Sequence, residues 1–225
     1  MVDFHTHILP KIDDGSKSIE QSLDMLHMLY RQGVRQVVAS SHYYAYKKSI
    51  EQYLKDRYNS YATIKPYLDN SCPKIILGAE VLYFSGIGKC KSIRKLRIQG
   101  TNRILLEMPF ESWNKEIIKD VEMLIENMRL EIVLAHVERY IGYKGNKKYI
   151  QYLLNIGVKL QVNNEVFKSF IAKRWVIRQI KQDNIFAFGS DCHNTNSRKP
   201  NWNYLNKYCN KKLENYIKEV SRYSI

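Results

Sequence analysis

The stretch "DFHTHILPKIDDG" sets His5 and His7 two residues apart and follows them with Asp13 and Asp14 in a loop tightened by Gly15. Alternate side chains of an extended strand share a face, so the two imidazoles point together and Thr6 points away. "GSDCH" uses the same spacing near the other end of the chain, with Asp191 and His193 on one face and Cys192 on the other. Between these stretches His42 closes "QVVASSH", Glu80 closes "KIILGAE", Glu107 closes "NRILLE" and His136 closes "LEIVLAH". Imidazoles and carboxylates are the nitrogen and oxygen ligands of divalent cations. Gathered without countercharge they would repel one another and shift their pKa values, unless cations occupied the cluster. The chemistry this set points to is that of bound metal.

Seven short apolar segments have to position these groups: "VDFHTH", "QVVASSH", "KIILGAE", "NRILLE", "LEIVLAH", "VKLQVNN" and "IFAFGSD". A longer segment of helical period follows each, so strand and helix alternate as in a parallel barrel. The first helix is capped by Ser18 with Gln21, carries Ile19, Leu23, Leu26 and Tyr30 as an apolar stripe, and ends at Gly33. Further helices are expected over 49–65, 113–128, 146–156, 167–183 and 201–220, with less regular structure over 85–99. Six of the seven strands finish on His7, His42, Glu80, Glu107, His136 or Asp191. One such residue is ordinarily solvated or bonded to a loop. Six at the C-terminal strand ends, where the active site of a barrel lies, form a site.

The length of 225 residues suits one domain, here expected over 1–225, and its 44% hydrophobic and 26% charged residues are ordinary for a globular chain. The apolar runs are too short for a membrane span and the first residues lack a basic leader, so a cytoplasmic, non-membrane protein is expected. Cys72, Cys90, Cys192 and Cys209 form no CxxC pair, consistent with reduced thiols. A formal charge of +14 invites an acidic or phosphorylated partner. The densest basic stretch, "KCKSIRKLR", lacks interleaved aromatics and is expected as a solvated helix face, so no nucleic-acid partner is expected.

"DFHTHILPKIDDG", "SSHYY", "LGAE", "LLEMP", "AHVERY" and "GSDCHNTNSRKP" together resemble the polymerase-and-histidinol-phosphatase (PHP) superfamily. Within it the chain is similar to the CpsB/YwqE-type bacterial tyrosine-protein phosphatases of capsule and exopolysaccharide systems, a subgroup favoured by "DDGSKSIEQSLDMLHMLYRQGV". The resemblance implies an α/β fold, a distorted (β/α)7 barrel, with three divalent ions at the C-terminal strand ends. It assigns His5, His7, Glu80 and Asp191 to the first ion. Glu80 bridges to a second completed by Glu107 and His136, and Asp14, His42 and His193 hold the third. Mn2+ is the ion the family suggests, while nitrogen and oxygen ligands also admit Zn2+, Fe2+, Mg2+ or Co2+. Arg139 and Arg198 match phosphate-binding arginines. The implied substrate is phosphotyrosine on the tyrosine-rich tail of a membrane-associated autokinase.

Some residues depart from the family pattern. Ser16 stands where many relatives have Pro, and Asn163 and Asn164 either line the mouth or cap the next helix. "ENYIKEVSRYSI" comes where relatives continue into a closing segment. A rival reading is "CHNTNSR", whose C-x5-R spacing is that of cysteine-dependent tyrosine phosphatases. Its loop has no Gly and starts on His193, and it leaves nine candidate ligands unexplained. Two further rivals are a small-molecule phosphatase acting on a histidinol phosphate-like ester and a phosphoprotein-binding module without turnover.

Overall fold

The computed structural model describes residues 1–221; the last four residues of "ENYIKEVSRYSI" lie outside the described residues. In chain order the strands and helices are β1 (Val2–Thr6), α1 (Ile19–Arg31), β2 (Gln36–Ala39), β3 (His42–Tyr43), α2 (Ile50–Ile64), β4 (Lys74–Leu77), β5 (Glu80–Leu82), β6 (Arg103–Glu107), α3 (Lys115–Glu126), β7 (Glu131–Leu134), α4 (Asn146–Asn155), β8 (Lys159–Asn163), α5 (Phe170–Lys181), β9 (Ile185–Gly189), α6 (Tyr204–Tyr208) and α7 (Lys211–Val220). All strand pairs are parallel, in the orders β1-β2-β4 and β3-β5-β6-β7-β8-β9.

The two sheets are one barrel with interruptions. The second and third expected strands each break near the top, at Ser40–Ser41 and at Gly78–Ala79, giving β2 then β3 and β4 then β5. Ser40 Oγ accepts from Thr6 N (3.0 Å) and donates to Thr6 O, while Glu80 N donates to Ser40 O, so the breaks are themselves bonded. Closure runs from β9 to β1 through Asp191 N to His5 O (2.8 Å) and His7 N to Cys192 O (2.9 Å). β4 does not pair with β6; Leu77 O accepts from Gln99 N instead, which makes the barrel irregular on that side.

Register explains which side chains face inward. Phe4, Val38, Ile76, Leu105, Val133 and Ala187 form an apolar plug inside the barrel. Strict alternation would then send His5 outward. Between Asp3 and Thr6, however, β1 carries one extra residue relative to β2, a bulge that turns both Phe4 and His5 inward. Gly189 permits this, since a Cβ there would lie 2.6 Å from His5 Cβ. A layer of polar ligands therefore sits directly on an apolar plug.

The helices cover the outer face and depart from the expected pattern in detail. Gln21 N donates to Ser18 Oγ (3.2 Å), but Gln21 Oε1 accepts from Lys17 N (2.7 Å), one residue earlier than in a standard capping box. The buried face of α1 is Ser22, Met25, Leu26 and Leu29; of the expected stripe only Leu26 is fully buried, and Ile19, Leu23 and Tyr30 form its edge. Gly33, with φ +90°, does end the helix. The 85–99 stretch is 3₁₀ helix, Ile87–Lys89 and Lys91–Leu96, with Ile93 and Leu96 buried and Lys91, Arg94 and Lys95 exposed. The expected 201–220 helix is two, separated at Cys209–Asn210, and Asn210 caps the second through Leu213 N.

Candidate metal centre

All nine residues expected as ligands meet at the C-terminal mouth. Glu80 Oε2 is the centre: it lies 3.0 Å from His5 Nε2, 3.2 Å from His7 Nε2 and 3.1 Å from His42 Nδ1. Its other oxygen, Oε1, is 2.9 Å from His136 Nε2, and Glu107 Oε1 stands 3.4 Å from that same nitrogen. Asp191 Oδ1 is 3.6 Å from His5 Nε2 and 3.4 Å from His7 Nε2. At the rim, Asp14 Oδ1 lies 3.6 Å from His42 Nε2 and 3.5 Å from His193 Nε2.

The backbone is strained to achieve this. His136 and Asp191 lie just past the ends of β7 and β9 in the left-handed region, at φ +30° and +51°. A non-glycine residue there costs about 1–2 kcal/mol, so two ligands are held in conformations that the surrounding bonds must enforce. Gly15 is needed for close approach rather than for an unusual φ: a Cβ there would sit 2.3 Å from His7 O. Ser16 N donates to the same carbonyl (3.1 Å), a bond that a proline at this position would lack. The "DDG" turn is thereby pinned against β1.

The outer atoms of the ligands set their tautomers. His7 Nδ1 lies 2.8 Å from Asp13 Oδ2 and His5 Nδ1 lies 3.1 Å from Gln161 Oε1, both acceptors. His193 Nδ1 lies 3.0 Å from the Asp191 carbonyl. Each Nδ1 must therefore carry the proton, leaving the Nε2 lone pair free. For His5 and His7 those two lone pairs face each other across 3.1 Å. This is unfavourable unless a cation lies between them and their carboxylate neighbours, and it is the usual outer-sphere arrangement of metal-binding histidines.

Buried polar atoms without hydrogen-bond partners agree. They include Glu80 Oε2, His42 Nδ1 and His193 Nε2, all at the mouth. Ligand atoms of His7, Asp14, His42 and His193 lie within 4.8 Å of one another, as do those of His5, His7 and Glu80, and those of His42, Glu80 and Glu107. Burial opposes charge on Glu80, yet His5 and His42 overcome it and hold the carboxyl well below the usual range. Burial also opposes charge on His7, but Asp13, Asp191 and Glu80 raise it well above the ordinary value, so a cation at Nε2 would take the place of a proton there. His136 follows the same balance and is raised to about 9, by Glu107 and Glu80. Burial leaves His42 and His193 lowered, as suits neutral ligands. The residues fit divalent metal.

Arg139 and Arg198 flank the cluster. Arg139 Nη2 lies 2.6 Å from Asp191 Oδ2, and Arg198 reaches Asp191 Oδ1 (2.9 Å) and Asp14 Oδ2 (3.6 Å). Arg139 is not paired with Glu138, whose carboxylate accepts instead from Asn163 N (3.3 Å). Asn163 lines the mouth, its Nδ2 donating to Asp191 Oδ2 (2.9 Å). Neither Asn163 nor Asn164 caps α5; Ser169 does, through Ala172 N.

The C-x5-R reading fails on geometry. Cys192 is fully buried in the apolar layer behind the barrel, and burial pushes its thiol far up, away from the thiolate a nucleophile needs. Several functional neighbours have roles that the sequence does not assign. Asp13 orients His7 and accepts from His42 N (2.8 Å). Gln161 also accepts from His136 N (2.8 Å), and its one sequence signal is a polar residue inside the apolar run "LQV". Asp3 ties β1 to Trp202 Nε1 (2.7 Å) and Ser190 N (2.9 Å). Phe110, half exposed, stacks on His136 with ring centroids 5.8 Å apart.

The profile of a family described as "Capsular polysaccharide synthesis, CpsB/CapC" matches residues 1–223. The tyrosine-protein phosphatase CpsB of Streptococcus agalactiae is 27% identical over 219 residues, covering 89% of this chain and 86% of its own. Tyrosine-protein phosphatase YwqE of Bacillus subtilis is 26% identical over 210 residues, covering 88% and 79%. Among solved structures, one from work on Bacillus subtilis YwqE and Streptococcus pneumoniae CpsB, described as metal-dependent tyrosine phosphatases, superposes with a TM-score of 0.78 at 19% identity. It covers 100% of this chain and 92% of its own. A Listeria monocytogenes chain described as a putative histidinol phosphatase superposes with a TM-score of 0.51 at 13% identity, covering 86% and 95%. With the family profile spanning nearly its whole length and the strand-end ligands in place, the chain belongs to the CpsB/CapC family of capsular polysaccharide synthesis.

Proposed function

We propose that the chain is a metal-dependent protein-tyrosine phosphatase acting on phosphotyrosine, with the tyrosine-rich tail of a capsule or exopolysaccharide autokinase as its substrate. The observation that carries the reading is the buried Glu80 carboxylate, whose Oε2, without a hydrogen-bond partner, faces His5 and His7 while Oε1 faces His136. A carboxylate so placed would serve both the His5–His7 ion and the His136 ion. His5, His7, Glu80 and Asp191 would hold one ion, Glu80, Glu107 and His136 a second, and Asp14, His42 and His193 a third, with Mn2+ the expected metal. Bound ions supply Lewis acidity, an activated water and neutralisation of the phosphoryl charge.

The protein's own groups do the rest. Asp13 and Gln161 hold the His7 and His5 rings in the ligand tautomer. Arg139 and Arg198 offer planar forks of donors for the non-bridging phosphoryl oxygens, and Asp191 keeps both aimed at the mouth. Phe110 lines the mouth as an apolar wall for the tyrosyl ring. The leaving phenolate, of pKa about 10, departs without a strong general acid. No helix among the described residues is long and apolar enough to cross a membrane. We place the enzyme in the cytoplasm, where exposed basic residues such as Arg94 and Lys95 favour a phosphorylated protein partner.

The test is turnover with Mn2+ of a phosphotyrosine peptide, a phosphoserine peptide, histidinol phosphate and single-stranded DNA. Hydrolysis of the first above the others, abolished by EDTA, is expected. Preference for histidinol phosphate, or phosphopeptide binding without release of phosphate, would overturn the assignment.

A further inference from the structure

Five of the six histidines stand at the mouth; the sixth, His27, does not. It lies on α1, and its Nε2 is shielded from solvent without a hydrogen-bond partner. Asp69 Oδ1 is 3.6 Å from that nitrogen, too far for a hydrogen bond. Cys72, a free and partly buried thiol, is the third member: one ligand atom each from His27, Asp69 and Cys72 lie within 4.8 Å of one another.

The loop that presents Asp69 and Cys72 is already shaped. Ser71 N and Oγ donate to Asp69 Oδ1 (2.8 and 2.6 Å), and Cys72 N donates to Asp69 O (3.1 Å). This loop leads into β4, which begins at Lys74, so the cluster lies at the N-terminal strand ends, opposite the mouth. Phosphate chemistry at the mouth makes no use of it.

We propose that His27, Asp69 and Cys72 form a separate Zn2+ site joining α1 to the loop before β4. An imidazole nitrogen, a carboxylate oxygen and a thiolate sulfur are a Zn2+ donor set, and three protein ligands leave the fourth tetrahedral position to water. The sulfur separates this site from the mouth, whose donors are all nitrogen and oxygen: a thiolate selects Zn2+ over Mn2+. On binding, the Cys72 S–H bond breaks, the sulfur keeps the electron pair for the metal, and the proton leaves to solvent. No redox change is involved. Because the ion grips two segments distant in sequence only when both are folded, it stabilises the native state.

Cobalt substitution provides the test, because a thiolate-to-Co2+ charge-transfer band in the near ultraviolet reports sulfur ligation and the mouth has no sulfur donor. With excess Mn2+ present, Co2+ should produce the band in the full chain and Zn2+ should displace it. Cys72→Ser and His27→Gln should each lose the band, bind about one equivalent less Zn2+, and lose the rise in Tm that Zn2+ gives the parent. Mn2+-dependent phosphatase turnover should be unchanged in both. No band in the folded parent, or a band that persists in Cys72→Ser, would overturn the site while leaving the mouth assignment intact.

Discussion

The mouth has a floor and a rim, and the two are built differently. On the floor His5, His7, Glu80 and His136 are at most 1% exposed, and His5 and His7 are each held by a second contact, from Gln161 and Asp13. At the rim the side chains of Asp14, Arg139 and Arg198 are 59%, 37% and 40% exposed, and Phe110 stands half out of the surface. A metal layer needs fixed donors, because charge that must reorganise during reaction costs rate. A protein substrate needs side chains that can still move toward it. The bulge at Phe4–His5 and the left-handed His136 and Asp191 fix the backbone of the floor in place, whereas the Arg198 side chain is held through its ion pairs with Asp191 and Asp14.

Breaking the floor should have the largest effect. EDTA treatment should abolish phosphotyrosine hydrolysis and Mn2+ should restore it; full activity of metal-free protein would dissolve the distinction between floor and rim. His136→Ala should lower turnover by on the order of 10³ while circular dichroism shows the fold retained, since the remaining ligands still converge. Arg139→Ala tests the rim: metal content by elemental analysis should stay constant while kcat/KM falls by about 10²–10³. Arg139→Lys should recover part of that loss, because an ammonium lacks the bidentate fork. Unchanged turnover at full metal occupancy would reduce Arg139 to a partner of Asp191.

Smaller changes sharpen the comparison. Gln161→Leu and Asp13→Ala remove the outer partners of His5 and His7, and metal affinity should weaken by about 10–100-fold. Equilibrium dialysis against Mn2+ measures this, and unaltered affinity would mean that the floor does not depend on its outer bonds. Cys192→Ser should keep nearly all activity, because the thiol faces the apolar layer and not the mouth. A trapped phosphocysteine would reverse that placement and revive the C-x5-R chemistry.

The order of residues along the chain is enough to establish the ligand inventory. His7, His42, Glu80, Glu107, His136 and Asp191 each sit at or just beyond an apolar segment, and strand-end placement is a local property that periodicity carries. Cys192 does face away from Asp191 and His193 as alternation expects, but Asp191 is left-handed past the end of β9, and the pairing of Cys192 with Thr6 holds the thiol on its side. Other features arise only from contacts between distant segments. The breaks after β2 and β4 depend on bonds from Ser40 to Thr6 and from Glu80 to Ser40, between strands far apart in the chain. The buried face of α1 is rotated from the expected stripe toward Met25 and Leu29, because what a helix buries is set by the sheet beneath it. Gln161 takes its role only when β8 is laid beside β7 and the bulge swings His5 inward. Arg139 leaves Glu138 for Asp191, 52 positions away in the chain, because β7 and β9 end at the same mouth. Residue type and period are written along the chain; which tautomer, which partner and which face are energies of contact between segments that only the closed barrel brings together.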